Sequence, residues 1–284
     1  MTKINFHTHS KGSDAALAPE ELVKQAIKAG ITHLCFTDHY KRPEETIDEA
    51  WKGKDAHFHN KDYLEEVRKM QEKYKEEIKI FYGVELDWLE GYENWIKEVL
   101  EENKFDFVLG SIHVLNLNGR WLAFDDKESW DECVREAGSE KELIKKYYQQ
   151  TRLIARSKLF DCVGHFDYIK KENKNSALFN EKDDWYQKEV LETLDEIQKA
   201  EMCIEINARG LLKTVGEQYP SEWILIEARK RAIPITTGSD FHGRSEWSVE
   251  DIDTNLEKIS ELARKAGYSS ITIFRDRKKE EVKI

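Results

Sequence analysis

The chain has 284 residues, of which 39% are hydrophobic and 36% charged, and its formal net charge is −11. This length fits one large α/β domain or two small ones, and it allows a sizeable core without disulfide bonds. The acidic balance argues against a nucleic-acid partner, because negative charge repels the phosphate backbone.

Short apolar runs and amphipathic segments alternate along the chain. The apolar runs predict eight strands, at 3–7, 33–37, 78–87, 105–113, 159–165, 202–207, 233–240 and 269–274. The amphipathic segments predict helices at 19–30, 63–74, 93–103, 141–156, 185–200, 221–232 and 255–267. Segment 114–140 has no clean strand or helix period, and we interpret it as an excursion near the site.

This alternation predicts a mainly parallel sheet. The length suits a single (β/α) barrel domain over residues 1–284, close to the usual size of about 250 residues. An open, doubly wound sheet is the alternative. The first predicted strand is not followed by G-x-G-x-x-G, which argues against a dinucleotide-binding domain.

The sequence also bears on the compartment. It contains no apolar leader and no run of about 18 apolar residues, so we expect neither secretion nor a membrane span. Its four cysteines include no C-x-x-C pair, which predicts buried free thiols in a reducing, cytoplasmic compartment.

Histidines and carboxylates stand at the C-terminal ends of the predicted strands. They are His7, His9, Asp38, His39, Glu85, His113, His165, Asp167, Glu205, Asp240 and His242. In a barrel these ends meet at one mouth, and imidazole with carboxylate is a ligand set for zinc, manganese or iron. The pattern therefore predicts a site for more than one metal ion at this mouth.

Not every histidine belongs to this pattern. His57 and His59 have the same His-x-His spacing as His7 and His9, but they sit in a polar segment, so we expect them to be solvated. His33 precedes its strand and would lie at the opposite end of the barrel, where a structural role is expected. Glu205 is equally compatible with a structural role in the barrel interior.

Six motifs resemble a known superfamily. HTHSKGSD, FTDH, GVELD, GSIH, GHFD and GSDFH, in this order over residues 7–242, resemble the polymerase and histidinol phosphatase (PHP) superfamily. ELDWLEGYEN and EINARGLLKTVGEQYPSEWI look like its histidinol-phosphate phosphatase branch. The resemblance implies a distorted (β/α)7 barrel, similar to a TIM barrel, with a trinuclear metal centre.

The resemblance also implies which residues hold three divalent ions, of zinc, manganese or iron. The first would be held by His7, His9, Glu85 and Asp240, the second by Glu85, His113 and His165, and the third by Asp14, His39 and His242. Asp38 would hydrogen-bond a ligand imidazole, and Asp167 would either support the ligands or donate a proton.

One loop departs from the branch, whose members usually have N-T-A-G-L-R-K where this chain has residues 207–213. Leu212 replaces the expected arginine, and Arg209 stands before the glycine instead. We expect Arg209, and secondarily Arg152 and Asn207, to contact a substrate phosphate. Catalytic roles fall to Glu85, Asp240, His242 and Arg209.

The expected function is a metal-dependent phosphomonoesterase that hydrolyses L-histidinol phosphate in histidine biosynthesis, by in-line attack of a metal-bridged hydroxide. Alternatives are another small ester, such as a nucleotide or sugar phosphate, a nuclease, or a non-catalytic metal-stabilised module. The net charge and the lack of a basic stripe argue against the nuclease. The general acid and the oligomeric state are left open.

Overall fold

The computed structural model describes residues 2–47, 61–243 and 249–284. His57 and His59, for which we predicted a solvated position, lie outside the described residues.

Within these residues the chain forms strands β1 (Ile4–Asn5), β2 (His33–Phe36), β3 (Lys79–Asp87), β4 (Phe107–Ser111), β5 (Val114–Leu117), β6 (Arg120–Ala123), β7 (Cys162–Val163), β8 (Cys203–Asn207), β9 (Ile235–Gly238), β10 (Ser270–Arg275) and β11 (Lys278–Lys283). The helices are α1 (Pro19–Lys28), α2 (Lys61–Lys73), α3 (Glu93–Glu102), α4 (Lys127–Ala137), α5 (Glu140–Ser157), α6 (Asp184–Lys199), α7 (Glu222–Lys230) and α8 (Val249–Lys265).

Seven parallel strands form the central sheet, in the order β1-β2-β3-β4-β7-β8-β9. The sheet closes on itself, because Phe6 N donates to Thr237 O at 2.8 Å and Asp240 N donates to His7 O at 2.9 Å. The helices between successive strands cover the outside, as expected for parallel crossovers. β1 and β7 are each only two residues long, which makes the barrel irregular. The predicted distorted (β/α)7 barrel is therefore confirmed.

The first crossover shows how local sequence sets an element. α1 begins at Pro19, whose fixed φ suits the first helical position. Leu22, Val23 and Ala26 are buried on one face of the helix. The chain turns at Gly30 with φ of +72°, a conformation that glycine adopts without a Cβ clash.

The excursion at 114–140 is more regular than its sequence suggested. It holds the antiparallel β5–β6 hairpin followed by α4. Asn118 and Gly119 turn the hairpin with φ of +54° and +84°, so the Asn-Gly pair was a turn signal that periodicity alone missed. Asp126 caps α4 by accepting a hydrogen bond from Ser129 N at 2.9 Å.

The last predicted strand is outside the barrel. β10 pairs antiparallel with β11, so the C-terminal segment forms a hairpin instead of an eighth barrel strand. The hairpin covers the N-terminal ends of the barrel strands. Phe274 stacks on Phe107 with ring centroids 5.0 Å apart, and Arg277 N donates to Asp106 O at 2.9 Å. The opposite end of the barrel, where the strands finish, remains open.

Candidate metal centre

The open end of the barrel gathers all nine residues that were predicted as metal ligands. Three groups have ligand atoms within 4.8 Å of one another: His7, His9 and Asp240; His39, Glu85 and His113; and His9, Asp14, His39 and His242. His165 adjoins the second group. The parallel strands explain the convergence, since every ligand except Asp14 lies on a barrel strand or within a few residues of its C-terminal end.

His7 and His9 point at the same spot. Their Nε2 atoms are 3.0 Å apart, and Asp240 Oδ1 lies 3.4 Å from His9 Nε2. Two imidazole nitrogens bound to one zinc ion at 2.0–2.1 Å in a tetrahedron are about 3.3 Å apart. Both rings therefore lie on one side of the chain and face the same position.

Glu85 lies between the groups. One carboxylate oxygen, Oε2, is 3.3 Å from His7 Nε2 and 3.1 Å from His39 Nδ1. The other, Oε1, is 3.0 Å from His165 Nε2 and 3.6 Å from His113 Nε2. This arrangement suits a carboxylate that bridges two cations. It also places His39 beside Glu85, whereas the resemblance assigned His39 only to the third ion.

The third group is formed around His242. Its Nε2 is 3.4 Å from Asp14 Oδ1, and its ring stacks on His9 with centroids 4.2 Å apart. His9 therefore belongs to two of the three groups.

Two carboxylates contact the Nδ1 atoms of His7 and His113, the ring nitrogens that face away from the cluster. Glu205 Oε1 is 2.8 Å from His7 Nδ1, and Asp87 Oδ1 is 2.8 Å from His113 Nδ1. Such contacts set the tautomer and orientation of a ligand imidazole. The role of Glu205 was left open from the sequence, and Asp87 was missed. The available signal was that Asp87 follows Glu85 by two residues on a strand, so both face the same side.

Asp38 supports the loop that carries Asp14. Its carboxylate accepts hydrogen bonds from Ser10 N and from Ser13 Oγ, both at 2.7 Å, and from the hydroxyl of Tyr63. Ser10 and Ser13 belong to this loop, so Asp38 orients it. The expected hydrogen bond from Asp38 to a ligand imidazole stays a prediction.

Asp167 is fully buried and is not among the residues that line the cavity. Its Oδ2 lies 3.0 Å from Lys170 Nζ and accepts a hydrogen bond from Ser221 N at 3.0 Å. Burial, with the charge of Glu181, raises the pKa of Asp167 to about 6 against the opposing charge of Lys170. These contacts tie the loop after His165 to Ser221, which favours the supporting role over proton donation.

Two of the predicted ligands have positive φ, His165 with φ of +22° and Asp240 with φ of +54°. Residues other than glycine avoid positive φ unless the surrounding structure holds them there. Glu205 helps to hold His165, because its Oε2 accepts a hydrogen bond from His165 N at 2.8 Å. Both residues belong to the candidate ligand cluster, and eight other non-glycine residues with positive φ lie elsewhere in the described chain.

The cluster has a strongly negative field. Burial disfavours the charged form of His7, but Glu205, Glu85 and Asp240 outweigh it and raise the pKa of His7 well above its usual value. Burial likewise opposes ionisation of Glu85, yet the surrounding histidines hold its pKa well below the usual range. The field that draws protons to the rings would equally draw divalent cations.

The donor set fits metal ions in chemistry as well as in charge. Histidine with carboxylate is the ligand combination of zinc and of other transition metals. The ring nitrogens of His9 and His165 that face the cluster are both Nε2, the atoms that would bind an ion.

A cavity of about 290 Å³ opens onto the cluster. Besides ligand residues, its walls carry four cationic side chains, Arg42, Lys171, Arg209 and Lys213. Of these, only Arg209 was predicted from the sequence. The others were missed because long cationic side chains on loops look alike in sequence, whether they face solvent or a cavity.

Two predicted phosphate contacts are wrong. Arg152 lies between α5 and α6, where its Nη1 is 2.9 Å from Glu189 Oε2, and it does not line the cavity. Asn207 is fully buried beneath the cluster, and its side-chain amide donates to Glu205 Oε2 at 3.1 Å. Arg152 was misplaced because its helix packs outside the barrel, and Asn207 because it lies in β8 below the rim.

The fold and the cluster define a PHP domain, and the chain belongs to the PHP domain family, whose sequence profile matches residues 5–209. A relative from Deinococcus radiodurans, named a probable histidinol-phosphatase, is 32% identical over 275 residues, 96% of each chain. The histidinol-phosphatase of Lactococcus lactis is 25% identical over 280 residues, 96% of this chain and 95% of its own.

Solved structures show the same fold. A histidinol phosphate phosphatase from Lactococcus lactis, crystallised with zinc, L-histidinol and phosphate, matches with a TM-score of 0.75 and 22% identity over 98% of this chain and 99% of its own. A protein from Listeria monocytogenes matches with a TM-score of 0.79 and 23% identity over 86% of this chain and 97% of its own. None of the described helices has the length and apolar character to cross a membrane.

Proposed function

We propose that this chain is a metal-dependent phosphomonoesterase that hydrolyses L-histidinol phosphate to L-histidinol and phosphate in histidine biosynthesis. The observation that carries the proposal is the position of Glu85 between ligand groups at the floor of a cavity with cationic walls. The named relatives, which match over nearly the whole chain, support the same activity.

The proposed centre holds three divalent cations of zinc, manganese or iron. His7, His9, Glu85 and Asp240 would hold the first, Glu85, His113 and His165 the second, and Asp14, His39 and His242 the third. When bound, such cations lower the pKa of water and stabilise negative charge on phosphoryl oxygens.

The protein's own residues supply position and charge. Glu205 and Asp87 hold the rings of His7 and His113, and Arg209 brings a guanidinium to the cavity wall for the phosphate. Burial and the charge of His9 lower the pKa of His242 to about 3. His242 is therefore neutral near pH 7, which suits a ligand and argues against its acting as the general acid.

The cavity wall matches the substrate in charge. Asp87 and Asp125 supply carboxylates on the same wall that carries Arg42, Lys171, Arg209 and Lys213. Histidinol phosphate likewise carries charge of both signs, with its amine on the carbon next to the phosphate ester and its imidazole at the other end. The four buried free cysteines support the expected reducing, cytoplasmic compartment.

The loop departure gives less support to another substrate than the sequence suggested. Leu212 is 41% exposed and does not line the cavity, whereas Arg209 is buried and does. A leucine at position 212 therefore removes no charge from the cavity wall in this structure.

The test is phosphate release from L-histidinol phosphate and from a panel of nucleotide and sugar phosphates, by enzyme loaded with zinc or manganese. We expect kcat/KM for histidinol phosphate to exceed the rest by about 10³-fold, because a site built around a substrate's polar groups rejects analogues that lack them. A chelator should abolish activity, and added metal should restore it. Equal, low rates across the panel would exclude this substrate.

A further inference from the structure

Arg42 has an unusual position for an arginine. It follows His39 by three residues, in the loop after β2, and its side chain is only 7% exposed. It lines the cavity together with His39 and His113. Its Nε and Nη1 are buried and have no hydrogen-bond partner in the described part of the chain.

The nearest acid does not satisfy this guanidinium. Arg42 Nε lies 3.5 Å from Asp87 Oδ2, within reach of charge attraction but without hydrogen-bond geometry. The other oxygen of Asp87 is occupied by His113 Nδ1 at 2.8 Å. Asp87 therefore balances the charge of Arg42 while leaving its donors open.

Other arginines that contact acids here are better paired. Arg152 Nη1 is 2.9 Å from Glu189, and Arg277 donates through Nε and Nη2 to Asp161. A guanidinium keeps its proton at any ordinary pH, so burial cannot neutralise it. Burying its donors unpaired is unfavourable unless something else accepts their hydrogen bonds.

We propose that the guanidinium of Arg42, which lines the cavity, binds the phosphoryl group of the substrate and of the phosphate product. A guanidinium matches phosphate oxygens in both charge and geometry. Arg42 lies beside Asp87, which pairs with His113, and Arg209 and His242 line the same cavity. The phosphate would then lie between two arginines that come from different loops.

This inference rests on the proposed phosphatase function, but inorganic phosphate tests it without turnover. The variants are Arg42→Gln, which removes the charge, and Arg42→Lys, which keeps it without the planar donor pair. Calorimetric titration of zinc-loaded protein with inorganic phosphate gives the Kd, and elemental analysis gives the zinc content. We expect Kd to rise at least 10-fold in Arg42→Gln and by less in Arg42→Lys, with zinc content unchanged.

Arg152→Gln is the matched control, since it removes an arginine that does not line the cavity, and its phosphate Kd should equal that of the wild type. A phosphate Kd within twofold of the wild type in Arg42→Gln would overturn the inference. So would a loss of zinc equal to that of Asp87→Asn, because Arg42 would then act only by positioning Asp87 and His113.

The two proposals can fail separately. If wild-type protein binds phosphate through Arg42 but does not hydrolyse histidinol phosphate, the inference stands and the substrate assignment falls. If wild-type protein hydrolyses histidinol phosphate while Arg42→Gln binds phosphate normally, the substrate assignment stands and the inference about Arg42 falls.

Discussion

Glu205 joins His7 to His165. Its Oε1 lies 2.8 Å from His7 Nδ1, and its Oε2 accepts the backbone N–H of His165 at 2.8 Å. One buried carboxylate thus fixes the ring of one ligand and the strained backbone of another, although it does not line the cavity. Glu205 therefore connects the group that contains His7 with the group that His165 adjoins.

Replacing Glu205 with glutamine should weaken metal binding without exposing the core. The side-chain amide would direct a donor at the N–H of His165 or at the ring of His7, and the negative charge would be lost. Changes to residues that orient metal ligands cost about 10–100-fold in metal affinity. We expect a loss of this size for zinc in Glu205→Gln, measured by competition with a chelating dye.

Glu189→Gln is the control for Glu205→Gln, because it also neutralises a glutamate but one that pairs with Arg152 away from the cluster. Its zinc affinity should match the wild type. Unchanged zinc affinity in Glu205→Gln would show that the carboxylate does not orient the ligands.

Gly238 leaves room for the side chains of Glu205 and His7. A Cβ at this position would overlap the carboxylate of Glu205 and the Cβ of His7. Gly238→Ala should therefore lower the free energy of unfolding by about 1–3 kcal/mol, the usual range for an overpacked core, and should also reduce zinc content. Urea denaturation and elemental analysis measure the two effects. A stable variant with full zinc would contradict the packing described here.

His33 should make stability depend on pH at the far end of the barrel. Burial, with the charges of Lys79 and Arg275, lowers the pKa of His33 from 6.5 to about 4. Below pH 6.5 the unfolded chain binds a proton that the folded chain rejects, so this residue destabilises the fold progressively as pH falls to about 4. Above pH 6.5 it should have no effect.

The measurement compares wild type with His33→Gln by urea denaturation at several pH values. Relative to the variant, the wild type should lose stability between pH 6.5 and about 4 and no further below. An NMR titration of His33 with a midpoint near its ordinary value would refute the prediction.

Arg277 anchors the C-terminal hairpin. Its Nη2 donates to Leu159 O at 2.7 Å and to Asp161 Oδ1 at 3.0 Å. Arg277→Ala should lower the free energy of unfolding by about 2 kcal/mol, a typical value for losing hydrogen bonds to a charged group. Because the hairpin lies opposite the open mouth, kcat/KM should not change. Lys278→Ala, at an exposed position of β11, should alter neither quantity.

Much of this architecture is predictable from the sequence because the pattern is repeated. Each predicted ligand histidine follows an apolar run, and parallel strands must bring their ends to one rim, so His7 and Asp240 are expected near each other although they lie far apart in sequence. The alternation also predicts the parallel sheet, whereas the number of seven barrel strands came from the family resemblance.

The residues and the strand that the sequence did not place correctly share a physical cause. Arg42 and Arg152 are both arginines near predicted elements, but only packing decides that one faces the cavity and the other a neighbouring helix. Asp87 was missed because its partner, His113, is 26 residues away, two residues beyond the end of β4. β10 was counted with the barrel strands because an apolar run does not specify which strand it pairs with.

The hairpin of β10 and β11 has a consequence for engineering. It secures the end of the barrel where the strands begin, while the loops around the cavity leave from the other end. A library of substitutions at cavity positions such as Asp125 and Lys213 would therefore sample new phosphate esters without loosening that anchor. Within such a library, selection for activity could proceed with little of the loss of folding that usually limits directed evolution.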